Sequence, residues 1–226
     1  MVIEYSKKNR IAQDKYYTGK NNATAAWACL REWIEKLELE DVTIVDPAAG
    51  DGALLDVLEG YPFRGYDLFP EREDLIKNDF IDNPSIYKKG DVVFMNPPFG
   101  SRGKLCKTFI EESIKQCDLV GCIVPNSFVK VKKNISGASY DVLYAQQLDS
   151  SDFLLLDEQF EVNAYFLIIT NKQKKFKRYT EITIEEVTEP TDKPTNEDFI
   201  NKLIPALIAD YSRQLRAKML GGVNEN

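Results

Sequence analysis

The sequence predicts an open α/β fold: a mostly parallel, twisted sheet flanked by helices. Three observations predict it. Short apolar runs alternate with segments of helical period, the pattern of parallel strands joined by crossover helices. A glycine-bearing turn, Asp46-Pro47-Ala48-Ala49-Gly50-Asp51-Gly52, directly succeeds the first such run. A later run, Asp91-Val92-Val93-Phe94-Met95, stops at Asn96-Pro97-Pro98-Phe99. Two consecutive prolines offer no backbone donor, so they end a strand and stiffen the turn at its carboxyl end. Ligands of open α/β folds collect at such ends.

Taken in order, residues 1–20 form an N-terminal segment without regular period, ending in Tyr16-Tyr17-Thr18-Gly19. Over residues 22–39, Ala26, Trp27, Leu30, Trp33, Ile34 and Leu37 recur at helical spacing. Residues 42–45 read as a buried strand, and a helix is expected over 53–58, just past the glycine turn. A short strand comes next at about 64–66, then the strand at 91–95. Residues 105–116 form a helix with Phe109, Ile110 and Ile114 inward. The strand at 120–124 is closed by Pro125, and two more strands are expected at 153–156 and 165–170. Beyond Thr170 the character changes. A basic segment, a Pro/Thr-rich linker and an amphipathic helix over 196–220 make residues 171–226 a small extension to a domain spanning 21–170.

Composition narrows the chemistry. The 226 residues, 43% of them hydrophobic, suffice for one domain with a sizeable core. No apolar run reaches the roughly 18 residues of a membrane span, and the N-terminus lacks the apolar core of a secretion signal, so a cytoplasmic protein is expected. The chain has no histidine, and its four cysteines, Cys29, Cys106, Cys117 and Cys122, form no Cys-x-x-Cys pair. No zinc site is expected, nor any mechanism that needs imidazole; reduced thiols without a chemical role are. A net charge of −7, from 29 basic and 36 acidic residues, argues against an indiscriminate nucleic-acid coat. It leaves room for local basic patches that grip phosphates.

The glycine turn has two readings: a plain tight strand–helix connection, or a surface that lets a ligand lie against the backbone near a helix N-terminus. Two downstream motifs favour the second. Tyr66-Asp67 ends the next strand, where a carboxylate can accept hydrogen bonds from both hydroxyls of a ribose. Asn78-Asp79-Phe80 comes after another short connection; Asp79 can accept from an adenine amino group while Phe80 packs on the ring. A nicotinamide enzyme is the competing reading, but Gly-x-Gly-x-x-Gly is absent and no histidine handles a proton.

The series Asp-Pro-Ala-Ala-Gly-Asp-Gly, Tyr-Asp, Asn-Asp-Phe and Asn-Pro-Pro-Phe resembles the successive motifs of N6-adenine DNA methyltransferases that use S-adenosylmethionine. Tyr16-Tyr17-Thr18 resembles the cofactor motif that one subgroup places before the glycine loop, with Gly19 in place of the usual proline. Val124-Pro125-Asn126-Ser127-Phe128 resembles part of the subgroup's base-pocket wall. The resemblance covers about residues 13–170 and implies a Rossmann-like methyltransferase fold. It implies that Thr18, Asp46, Ala48, Gly50 and Gly52 approach the methionine part of the cofactor, Asp67 the ribose, and Asp79 with Phe80 the adenine. Tyr17, Pro47, Leu68 and Asn96 complete the implied cofactor set, and no metal is needed.

The implied reaction is methyl transfer to the exocyclic amino group of adenine in DNA. That nitrogen is a poor nucleophile because its lone pair is delocalised, whereas the sulfonium is a strong donor. The protein has to align the reactants and stabilise charge developing on nitrogen. The Asn96 side-chain carbonyl and the Pro97 backbone carbonyl can accept the two amino protons, Pro98 stiffens the corner, and Phe99 offers a flat face to a flipped base. Asn126 belongs to the implied substrate pocket. Phe160 sits where relatives carry a second aromatic partner, a core phenylalanine being the plainer role.

Relatives that methylate a defined DNA sequence carry a large recognition region, whereas about 55 residues come after Thr170 here. Lys130, Lys132 and Lys133, and the basic segment after Thr170, are candidates for phosphate contact. The C-terminal helix either packs on the sheet or forms an interface, with a homodimer or a separate subunit supplying recognition. DNA is expected ahead of structured RNA, although compact rRNA adenosine methyltransferases share an Asn-Pro-Pro-Phe-Gly stretch like Asn96–Gly100. Further alternatives are protein glutamine methylation, whose motif usually ends in tyrosine, and a non-catalytic scaffold.

Overall fold

The computed structural model describes residues 16–130, 139–155, 158–159 and 161–171. Lys132, Lys133, Phe160 and the extension after Asn171, where a basic segment and an amphipathic helix are expected from the sequence, lie outside the described residues. The chain divides into two compact units. The first comprises Met1–Leu155 and Gln159–Glu185; the second, Leu156–Glu158 and Glu186–Asn226, is almost wholly outside the described residues.

The elements run β1 (Tyr17–Thr18), α1 (Lys20–Lys36), β2 (Thr43–Asp46), β3 (Phe63–Asp67), β4 (Ile76–Lys77), β5 (Asp91–Met95), α2 (Lys104–Ile114) and β6 (Leu119–Pro125). Next come the short helix α3 (Asn126–Val129), then β7 (Tyr140–Gln147), β8 (Phe153–Leu155), β9 (Glu158–Gln159) and β10 (Ala164–Asn171). Seven strands form one sheet in the order β4-β3-β2-β5-β6-β10-β7. The pairs from β4 through β6 are parallel, and β10 runs antiparallel to both β6 and β7. The fold is therefore Rossmann-like and mostly parallel. From β2 the chain builds outward to β3 and β4, then returns to place β5 on the other side of β2. A crevice opens where the order reverses, at the carboxyl ends of β2 and β5.

Apart from polar residues at their ends, the central strands are apolar, because both faces are covered. On one face, Val92 and Phe94 of β5 and Phe166 and Ile168 of β10 pack with Ala23, Ala26, Trp27, Leu30 and Ile34 of α1. On the other, Val93, Met95, Leu167 and Ile169 pack with Cys106, Phe109, Ile110 and Ile114 of α2. Alternate residues of one strand thus serve opposite cores, the period-2 geometry of a pleated strand. Phe94 is fully buried, tilted against Trp27 and edge-on to Phe166, each at 5.9 Å between centroids.

Helix α1 lacks a local side-chain cap. Its N-terminal donors are met from far along the chain: the Asp152 carboxylate accepts the Asn22 N–H at 2.6 Å, the bond an N-cap aspartate would otherwise supply.

Three expectations differ. Residues 53–58 form no α-helix, only a 3-10 turn at Leu55–Val57; Glu59 and Gly60 then take positive φ of 48° and 89°, leaving no room for a second turn. The glycine turn therefore has no helix dipole behind it. The expected strand at 153–156 does not join the main sheet, because β8 pairs antiparallel with β1. Strand β7 is an addition to the expected elements. Its register slips opposite Ile168 and Ile169, leaving Leu143 as a bulge that breaks the alternation.

Candidate functional site

A cavity of about 360 Å³ opens at the carboxyl ends of β2 and β5, within the range of about 300–1,000 Å³ typical of small-molecule sites. The turn after β2 contributes Asp46, Pro47, Ala48, Ala49, Gly50 and Asp51, with Ala53 and Leu54 just beyond. The end of β3 contributes Asp67 and Leu68, and the next connection contributes Asn78, Asp79, Phe80, Ile81 and Asp82. Asn96 and Pro98 close the β5 side, Leu105 and Phe109 come from α2, and Tyr16, Tyr17 and Thr18 form a strap along the rim.

Five of the lining residues are aspartates and none is lysine or arginine. A pyrophosphate would meet repulsion here, whereas a cation, an amine or a hydroxyl would find acceptors. Asp46 is 1% exposed and accepts the Ala48 N–H at 2.9 Å. Burial pushes its carboxyl well above the usual range; the Ala48 N–H opposes the rise, and Asp67 and Asp51 add to it. Asp67 accepts the Gly50 N–H at 2.9 Å with one oxygen and the Phe69 N–H at 2.8 Å with the other. Each oxygen keeps a second lone pair. Asp79 accepts the Ile81 N–H at 3.2 Å. Phe80 is buried between Tyr87 and Phe109, with centroids at 5.9 and 4.8 Å.

The loop at 149–153 holds the strap and the start of α1. β1 pairs with β8, Thr18 opposite Phe153. The Gly19 N–H donates to the Asp152 carbonyl at 2.9 Å. Asn22, one turn on, donates through Nδ2 to the Asp149 carbonyl at 2.8 Å and the Asp152 carbonyl at 3.1 Å, and accepts the Asp149 N–H at 3.0 Å. A side-chain carbon at position 19 would collide first with the Asp152 carboxylate and, less severely, with the Asp152 backbone carbonyl. That contact accounts for glycine where the resembling motif has proline.

Asn96 is held from the strap. Its Nδ2 donates to the Tyr16 carbonyl at 2.8 Å and to the Thr18 hydroxyl oxygen at 3.0 Å. With both amide hydrogens engaged, the side-chain oxygen is left as the acceptor at the cavity wall. Pro98 lines the cavity, while Pro97 is buried behind it. Phe99 does not present an open face: it is 8% exposed, packed in the core with α1, and its ring lies 6.2 Å from that of Tyr16 at 31°. The aromatic side chains that line the cavity are Tyr16, Tyr17, Phe80 and Phe109, and Tyr16 is the one whose ring lies near that of Phe99.

Gly52 also departs from expectation. It does not line the cavity; its φ of +86° suits the turn, and a side chain there would collide with the Arg72 guanidinium. Asn126 begins α3 at the carboxyl end of β6, donates its N–H to the Asn163 carbonyl at 2.9 Å, and stands outside the cavity lining. Lys130 is exposed at the end of α3. The neighbouring turn Ser101–Gly103 packs here, where a side-chain carbon added at Gly103 would stand 3.4 Å from Phe128 and 3.8 Å from Pro125. It carries Arg102 and leads into Lys104, both exposed, and neither pairs with a carboxylate among the described residues.

Sequence reasoning missed Leu105, Phe109, Leu54 and Ile81 as wall residues. Leu105 and Phe109 are four apart on α2 and share a face; that spacing was visible, but their neighbours Cys106 and Ile110 mark an equally apolar core face.

No family model matches the chain, and no curated protein matches it. Solved structures do. PH1948 of Pyrococcus horikoshii, a candidate RNA methyltransferase, is 17% identical over 65% of this chain and 84% of its own, with a TM-score of 0.49. A type I restriction-modification methyltransferase subunit of Streptococcus thermophilus is 16% identical over 71% of this chain and 46% of its own, at 0.47. The plantazolicin methyltransferase BpumL, in complex with SAH, is 12% identical over 68% and 85%, at 0.46.

Proposed function

We propose that this chain transfers a methyl group from S-adenosylmethionine to the exocyclic amino group of adenine in a polynucleotide, DNA ahead of structured RNA. The observation that carries the reading is the orientation of Asn96. Tyr16 and Thr18 take both of its amide hydrogens, which leaves its side-chain oxygen as an acceptor on a residue that lines the cavity and supports a role in accepting hydrogen bonds from an amino group.

The cavity fits the cofactor by the chemistry of its donor set. An acid-lined pocket without cations suits a sulfonium and an amino-acid ammonium and disfavours a nicotinamide dinucleotide. In this reading Asp67 accepts from the ribose hydroxyls through its remaining lone pairs, and Asp79 accepts from the adenine amino group beside Phe80. Asp46, Gly50, Thr18 and Tyr17 surround the methionine part, with Pro47, Ala48 and Leu68 shaping the wall. Bound there, the cofactor supplies an activated methyl group. The chain's own part is to orient the amine, accept hydrogen bonds from its two N–H groups at Asn96 Oδ1 and the Pro97 carbonyl, and exclude water behind Tyr16 and Pro98. Phe99 supports Tyr16 from behind, so base stacking falls to Tyr16 or requires it to move aside.

A polyanionic substrate is favoured by charge segregation. Residues 96–110 and 119–134 contain Arg102, Lys104, Lys107, Lys130, Lys132 and Lys133 and no acid, in a chain with 36 acids. These segments come after β5 and β6, whereas the acids of the cavity come from the β2 and β3 side. The homodimer or separate recognition subunit, and the small extension as a substrate-binding part, belong to the same proposal.

Incubation of the pure protein with methyl-labelled S-adenosylmethionine and separate DNA, RNA and protein pools tests it. Label in DNA as N6-methyladenine is expected. Label in RNA or in protein glutamine moves the reading to those substrates, and cofactor binding without transfer to any pool leaves a scaffold.

A further inference from the structure

The connection between β3 and β4 reaches two parts of the cavity wall through adjacent residues, neither of which lines the cavity. Glu71 accepts a hydrogen bond from the hydroxyl of Tyr17 on the strap. Arg72 lies over the glycine turn: its Nη1 donates to the Gly52 carbonyl at 3.3 Å and to Asp56 at 2.7 Å. The rest of its fork holds Asp74, Nε at 2.9 Å and Nη2 at 2.6 Å on the two carboxylate oxygens. The guanidinium occupies the space a side chain at Gly52 would need. The strap and the glycine turn, more than thirty residues apart in sequence, are thus gripped by two consecutive side chains.

We propose that Glu71 and Arg72 are positioning residues that clasp the strap to the glycine turn and so set the affinity of the cavity for its cofactor. The inference rests on the reading of the cavity as a S-adenosylmethionine site. Two facts point to positioning rather than to folding. The carboxylates Arg72 engages are exposed, Asp56 at 66% and Asp74 at 45%, and exposed ion pairs contribute little to stability. The turn that Arg72 braces has no α-helix behind it, only the 3-10 turn, so its shape relies on side chains brought from elsewhere. A wall held in one arrangement before binding loses less entropy when the ligand arrives. The clasp therefore acts on cofactor affinity and leaves the rate at saturating cofactor unchanged.

Calorimetric titration of the full chain with S-adenosylhomocysteine, alongside thermal unfolding, tests the clasp. Arg72→Ala and Glu71→Ala are expected to weaken binding by about fivefold or more, with melting midpoints close to that of the unmodified chain. Arg72→Lys is expected to bind as poorly as Arg72→Ala, because an ammonium cannot reproduce the fork. Glu71→Gln is expected to retain affinity, since its amide oxygen still accepts from Tyr17. In steady-state assays the loss is expected in KM for the cofactor and not in kcat. Affinity equal to that of the unmodified chain in both alanine variants, or a loss that tracks a fallen melting midpoint, overturns the inference alone. No binding by the unmodified chain overturns the cofactor reading and the clasp with it.

Discussion

The side-chain amide of Asn96 donates to the hydroxyl oxygen of Thr18 at 3.0 Å, tying the end of β5 to a residue 78 positions earlier. The bond makes the strap part of the corner that aims Asn96. Thr18→Val keeps the shape and removes the acceptor. One neutral hydrogen bond is worth about 0.5–1.5 kcal/mol net, so methyl transfer is expected to slow roughly 2- to 10-fold. Asn96→Ala removes the acceptor itself and is expected to cost at least about 10²-fold while cofactor binding persists. Single-turnover rates and S-adenosylhomocysteine titration of both variants check the order. A Thr18→Val chain as slow as Asn96→Ala would place the hydroxyl in the reaction rather than behind it.

Asp46 sets stability against function. Its folded carboxyl titrates well above the ordinary value because of burial, opposed by the Ala48 N–H and reinforced by Asp67 and Asp51. A carboxyl with a raised folded value binds more protons folded than unfolded. Stability is therefore lost as pH rises from the unfolded value of about 3.9 toward the folded one. Asp46→Asn keeps an oxygen for the Ala48 N–H and carries no charge. It is expected to melt at a higher temperature than the unmodified chain at about pH 7.5, with the advantage gone near pH 3.5, and to bind cofactor less well. Thermal unfolding at the two pH values checks this; a variant less stable at the higher pH would mean that the charge is compensated in the fold.

Gly19 is the position where the chain departs from the motif it resembles, and its backbone at φ −65° would suit proline. Proline is nevertheless expected to be harmful. It removes the N–H that meets the Asp152 carbonyl, and its ring carbons would occupy the space of the Asp152 carboxylate. That carbonyl keeps its bond from Asn22, so the missing hydrogen bond costs about 0.5–1.5 kcal/mol, and the collision adds to it. Urea unfolding of Gly19→Pro is expected to show a lower midpoint with an unchanged slope. Gly19→Pro in an Asp152→Ala background, where the carboxylate is absent, is expected to lose less; equal losses would trace the glycine to something other than that contact.

Gly19 also marks the limit of what the sequence made legible. Strands β2, β5, β6 and β10 were readable because both faces are buried and their apolar runs are continuous. The wall residues just past them were readable because glycine, proline and aspartate at a strand's end constrain the turn. Unreadable were features decided by distant partners: the Asp152 loop that caps α1 and excludes a side chain at Gly19, and Arg72 filling the space over Gly52. The burial of Phe99 belongs to the same class, since only packing against Tyr16 and α1 turned it from the cavity. Strand β7 failed for a local reason: the bulge at Leu143 and half-exposed side chains up to Gln147 blur the alternation.

Arg102 sits three residues past Phe99 of the Asn-Pro-Pro-Phe corner, with φ at 55° and ψ at 32°, a left-handed backbone uncommon for a residue with a Cβ. It and Lys104 are exposed on a turn packed against α3, next to exposed Lys130. If they meet phosphates, removing their charge must change the salt dependence of binding and not its sequence preference. Deleting one phosphate contact is expected to lower the slope of log K against log salt by about 0.7 for single strands and about 0.9 for duplex. Arg102→Ala and Lys104→Ala, singly and together, tested by fluorescence anisotropy with labelled duplex and single-stranded DNA across a salt series, measure it. Because neither residue lines the cavity, S-adenosylhomocysteine binding is expected to be unchanged in both. A slope unaltered by the double substitution would remove these cations from the substrate path, and with them the charge argument for a polynucleotide over a protein glutamine.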